Sequence, residues 1–158
     1  GADGVAVLYN SYSSTTNGAT TGSWVTVDTY TLDANQLLTD GDMIQIHCVF
    51  NLLIFNGSKQ YVRVQIGVNT IFEHTFTYDN NTTLSVDITL SKTGATSSKF
   101  EYISTATDGL NVLSQKIIAP ASFSSTTWAN TQIVNSQVNA TDADQIQTKA
   151  LRITYYKK

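Results

Sequence analysis

Charge is scarce in this chain. Asp, Glu, Lys and Arg make up only 13% of its 158 residues, with a net charge of -3, against about 25% charged residues in ordinary soluble domains. Lys and Arg gather nowhere except at Lys157 and Lys158, so the electrostatic footprint of a nucleic-acid binder is missing. A lone cysteine, Cys48, excludes an intramolecular disulfide framework. No apolar run approaches the roughly 20 residues that span a bilayer, so no membrane insertion is expected. There is neither a signal-peptide pattern nor an initiator Met, and the chain is expected to be a fragment of something longer. No stretch carries a convincing amphipathic helical pattern.

Ser, Thr and Asn take the place of charge, which suits a β-rich surface exposed outside the cell or on a virion. A chain of this length forms one domain and buries roughly 70% of its unfolded surface, so it needs no disulfide or metal to fold. The central stretch is residues 39–55 (TDGDMIQIHCVFNLLIF). After the turn signal Asp40-Gly41-Asp42 it reads as one long strand, with Ile44, Ile46, Cys48, Phe50, Leu52 and Ile54 on one face. The other face becomes mostly apolar from Val49 onward, through Leu53 and Phe55. A strand buried on one side only alternates with polar residues, so the latter half is expected to be covered twice: by a second sheet and by another copy of the chain. Val49, Leu53, Phe55 and His47 are the candidate interface residues.

Around this strand, residues 1–9 read as the end of a stalk or linker plus a first strand, residues 10–23 as a surface loop, and 10–158 as a single domain. Residues 23–32 form a strand, and 33–38 are the one place for a short helical turn. Asn56-Gly57 is a hairpin signal. Further strands follow at 60–67, with Tyr61, Arg63 and Gln65 outward, and at 70–78, 83–90, 99–106, 110–118, 131–138 and 149–156. Pro120 is expected to end its strand, because it cannot donate to a ladder. About nine or ten strands at regular spacing predict an all-β, antiparallel sandwich or jelly roll. The missing Cys…Trp…Cys pattern disfavours an immunoglobulin-like fold.

Little here supports catalysis. His47 and Cys48 are adjacent and point to opposite faces of a strand, and Cys48 reads as a buried, inert thiol. His74 reads as a satisfied or surface histidine. Two histidines without a nucleophile motif give little support to a hydrolytic triad. Asp40 with Asp42, and Asp142 with Asp144, read as turn chemistry rather than a Ca²⁺ site, since neither has full ligand spacing. No enzyme activity, cofactor or metal is expected. The residues best suited to stacking on a sugar ring are Trp24 and Trp128, with Tyr12, Tyr61, Tyr78, Tyr155 and Tyr156 as possible companions. Trp128 and the neighbouring amide Asn130 lie in a Ser/Thr/Asn-rich segment that reads as an exposed loop, so Trp128→Ala is expected to abolish binding without unfolding the domain. Trp128, Asn130, Trp24 and Tyr78 are the candidate ligand contacts.

Residues 30–42 (YTLDANQLLTDGD) resemble a stretch recurring in phage tail-fibre and head-fibre tip domains, where a T-L-x-A-N-x-L turn ends one strand and G-D opens the next long one. Residues 59–67 (KQYVRVQIG) and the ending LRITYYKK fit the same pattern, while Asp33 stands where the family has proline. The resemblance implies a homotrimeric jelly roll of the tumour-necrosis-factor and C1q type. It implies a non-catalytic adhesin at the virion surface that contacts a host cell-surface glycan or protein, its weak sites multiplied by avidity. A carbohydrate-binding module of an extracellular enzyme, and a purely structural virion-decoration or C1q-like trimer, are the alternatives.

Overall fold

The two faces of the central strand decide the architecture. In the computed structural model, which describes residues 4–12, 15–16, 22–54, 60–77, 81–140, 142 and 145–158, Ile44, Ile46, Cys48, Phe50 and Leu52 are fully buried. Met43, Gln45, His47, Val49 and Asn51, which alternate with them, are half-buried. A pleated strand sends successive side chains to opposite faces, so the first set packs on a second sheet and the second set forms an outer surface. Burial pushes the Cys48 thiol far up, and the carboxylates of Asp28 and Asp87 add to the rise.

Among the described residues the chain has eleven strands and no helix: β1 (Val5–Ser11), β2 (Thr15–Thr16), β3 (Val25–Leu32), β4 (Met43–Leu52), β5 (Gln60–Ile66), β6 (Asn69–Phe76), β7 (Thr82–Lys92), β8 (Ser98–Thr107), β9 (Val112–Phe123), β10 (Gln132–Asn139) and β11 (Ile146–Tyr156). They form two antiparallel sheets. A seven-stranded sheet runs β1-β11-β4-β7-β8-β9, with β2 also on β11, and a four-stranded sheet runs β3-β10-β5-β6. Leaving aside β2, β8 and β9, the chain pairs from the outside in: β1 with β11, β3 with β10, β4 with β7 and β5 with β6. The inner faces supply the core, with Leu84, Val86, Ile88 and Leu90 from β7 facing Val62, Val64 and Ile66 from β5 and Val134 and Val138 from β10.

Four expectations need correction. The central strand stops at Leu52: the amides of Leu53 and Ile54 turn to the Gln145 carbonyl, at 2.7 and 3.4 Å, which leaves Ile54 exposed rather than in the core. Residues 33–38 make turns without a helix, with Asn35 at a positive φ of 60°. β9 runs through Pro120 to Phe123. It tolerates the proline because it is an edge strand and its register with β8 slips between Phe100 and Tyr102. The segment expected as a surface loop from residue 10 contributes the end of β1 and all of β2 to the large sheet. The Asn56-Gly57 hairpin lies outside the described residues.

Candidate functional site

Strand alternation puts Tyr61, Arg63 and Gln65 on the outer face of the four-stranded sheet, as expected, while Val62, Val64 and Ile66 fill the core. The β5–β10 register sets Arg63 beside Gln137 and Tyr61 beside Asn139, and the β10–β3 register sets Gln137 beside Thr26. Trp24, just before β3, therefore reaches this face. The Arg63 guanidinium lies over the Trp24 ring at 4.1 Å from its centroid, and the Tyr61 ring is 6.2 Å away, tilted by 48°. Arg63 Nε donates to Gln137 Oε1 at 2.6 Å, and Gln137 Nε2 donates to Thr26 Oγ1 at 3.0 Å. Burial lowers the Arg63 pKa, and the charge of Glu73, its cross-strand neighbour, offsets part of the drop.

Hydroxyls and amides extend the face. Thr29 Oγ1 donates to Asn135 Oδ1 at 2.8 Å, and Gln65 Nε2 donates to Thr70 Oγ1 at 3.0 Å. Each side chain is held by a neighbour on a rigid strand, so the face is preorganised and little conformational entropy is lost when a ligand arrives. An aromatic platform beside a cation and a row of neutral donors and acceptors suits a polyhydroxylated ring.

The strand registers also define two ends. Lys157 N donates to the Gly4 carbonyl at 2.6 Å, and Val5 pairs with Tyr156, which pairs with Met43. Both termini of the described chain thus lie at one end, with the turns at 33–42, 93–97 and 124–131. Trp24 and Tyr61 lie toward the other end, since Val25 pairs with Val138 and Tyr61 with Thr75.

No family model matches the chain, and no curated protein matches it. Two solved structures share a distant likeness at 8% identity. One is the CBM2 module of an evolved Dit from Lactobacillus casei BL23 phage J-1, with a TM-score of 0.42 over 82% of this chain and 69% of that one. The other is the protein of unknown function SO2946 from Shewanella oneidensis MR-1, with a TM-score of 0.43 over 96% of this chain and 75% of that one. Likeness this remote carries no argument about function.

Trp128 is not on an exposed loop. It is buried, at 2% exposure, and its Nε1 donates to the Ser97 carbonyl at 3.2 Å. Its backbone N–H donates to Ala95 O, and its carbonyl accepts from Asn35 N. The indole plugs the end of the sandwich where three turns meet, and its one polar atom finds a carbonyl there. Asn130 is exposed beside it, at the end that holds the termini. The structure therefore separates Trp128 and Asn130 from Trp24 by the length of the sheets. Tyr78 and Phe55 lie outside the described residues.

Of the candidate interface residues, His47 and Val49 are half-buried on the outer face of the seven-stranded sheet, and Leu53 lies just past the end of β4. His47 Nδ1 is 2.8 Å from Asp87 Oδ1. The Asp40 carboxylate pairs with Lys92 at 3.1 Å. Buried Asp42 accepts from the amides of Leu38, Thr39 and Lys158 and from the Tyr155 hydroxyl. Burial alone would raise its pKa, and these four hydrogen bonds outweigh burial and hold it low. Among the described residues no three His, Cys, Asp or Glu side chains gather as a metal site, and no helix is long and apolar enough to cross a membrane.

Proposed function

We propose that this domain is a non-catalytic adhesion module, the tip of a trimeric viral fibre, that binds a host-surface glycan through the outer face of its four-stranded sheet. One observation carries the reading. Arg63 lies over the Trp24 ring and is hydrogen-bonded through Gln137 to Thr26, with the tilted Tyr61 ring beside Trp24, toward the end remote from Gly4 and Lys158. A fibre stalk joined near Gly4 would hold that end outward.

The nested pairing of eight strands, first with last and so on inward, supports a jelly roll. Self-association is supported by the outer face of the seven-stranded sheet, where Val5, Val7, Ile103 and Ile117 are all at least 45% exposed. They form two apolar pairs, Val5 with Val7 on β1 and Ile103 with Ile117 across β8 and β9, and exposed apolar clusters mark interaction surfaces. Three copies multiply a weak glycan contact by avidity.

Binding to an array of bacterial surface glycans tests the site. The wild-type protein is expected to bind, and Trp24→Ala and Arg63→Ala are each expected to weaken binding about tenfold, which is about 1.4 kcal/mol, with the fold intact by circular dichroism. Unchanged binding in both variants would remove the site assignment. Retained glycan binding by a monomer in solution would favour the carbohydrate-binding-module reading instead.

A further inference from the structure

We propose that the outer face of the seven-stranded sheet is built as two complementary halves, so that the β1–β11 half of one copy packs on the β7–β9 half of the next. The inference rests on the self-association read above and specifies the surfaces that meet.

Pairing registers place one row of side chains straight across six strands: Asn10, Arg152, His47, Asp87, Ile103 and Ile117. The next row toward the termini is Val7, Thr154, Gln45, Thr89 and Glu101. The third is Val5, Tyr156, Met43, Ser91, Lys99 and Ser122. Across these rows charge changes sign from one side to the other. Arg152 stands on the β1–β11 side with Val5 and Val7, 45% and 60% exposed. Asp87 and Glu101 stand on the other side with Ile103 and Ile117, 50% and 68% exposed, and Lys99 at the margin.

The shape differs as well. A groove of about 250 Å³ that runs from β4 onto the β7–β9 half is lined by Gln45, Asp87, Thr89, Glu101, Ile103 and Ile117 among others. It adjoins the register slip between Phe100 and Tyr102, where β9 supplies no paired residue opposite Glu101, and such bulges bend a sheet locally. An apolar wall with carboxylates beside it receives an apolar edge with a guanidinium beside it. The second copy of this chain carries that edge at Val5, Val7 and Arg152. Unlike patches that meet in this way give a heterologous contact, which closes into a ring when the rotation allows.

A charge exchange measured by light scattering after size exclusion tests the contact. Arg152→Glu and Glu101→Arg, each alone, are expected to weaken assembly about tenfold, because each sets like charges opposite one another. The double variant is expected to reassemble with itself and not to exchange with wild-type protein. A second variant reads the contact independently of charge. Val7→Cys with Ile103→Cys in one chain is expected to give disulfide-linked copies, since those positions are four strand spacings, roughly 19 Å, apart within a chain. An assembly that ignores both single reversals and does not cross-link overturns the complementary halves and leaves self-association standing. A wild-type protein that stays monomeric at every concentration overturns the self-association reading and this contact with it.

Discussion

His74 places its ring on the inner side of β6, against Phe76 at 5.0 Å, and its buried Nε2 has no hydrogen-bond partner among the described residues. Alternation along β6 turns it inward, while Glu73 and Thr75 on either side are exposed. Burial, aided by the charge of Lys116, pushes its pKa down to about 4 from 6.5. The folded-state pKa is the lower one, so the unfolded chain takes up the proton first as pH falls. The stabilisation is therefore whole above about pH 6.5 and is lost on the way to about pH 4. Denaturant titrations across that window are expected to show a loss of up to about 1.4 kcal/mol per pH unit, and His74→Phe to flatten it; an equal slope in the variant would refute the account. Packing likewise decides the place of Trp128. Its Ser/Thr-rich flanks suggested exposure, but the turns at 33–42 and 93–97, distant in sequence, close over the ring. Trp128→Ala is expected to cost about 3–5 kcal/mol of stability and to leave glycan binding per folded molecule unchanged. A variant as stable as wild type in chemical denaturation would show that the ring is not a core plug.

Elements read from alternation stand nearly as expected wherever one face is buried. In β7, Leu84, Val86, Ile88 and Leu90 are fully buried between less buried neighbours, and β5 behaves likewise. Boundaries were less legible because they depend on partners. β4 ends where Gln145 captures two amides, and β9 continues past Pro120 because an edge strand needs no donor there. The turn into β4 shows the same dependence. Gly41 has a positive φ of 99°, and an added Cβ would meet the Lys158 side chain, while the next residue, Asp42, receives the Lys158 amide at 2.8 Å. The turn thus clamps the last strand. Gly41→Ala is expected to cost about 1–2 kcal/mol, the penalty for a left-handed backbone with a side chain. A shift in denaturation midpoint measures it, and no shift would mean that the turn relaxes freely.

At the scale of the whole molecule, the two large faces divide the work. The four-stranded sheet presents Trp24, Arg63 and Tyr61 outward, and the seven-stranded sheet presents the charge-divided surface proposed for self-association. Composition and period-two patterning determined by themselves that the chain is all-β, that Cys48 is buried, and that Tyr61, Arg63 and Gln65 share an outer face. Those properties follow from local geometry, because successive side chains on a strand must alternate. Strand pairing set the rest: that Trp24 rather than Trp128 joins that face, and that Arg152 and Asp87 lie on either side of His47. It also decided that Gly4 and Lys158, the two ends of the described chain, lie at the end away from Trp24. These facts depend on which strands pair and in what register, and pairing between residues more than 100 positions apart, such as Thr29 with Asn135, is set by burial of the whole core and not by any local stretch of sequence.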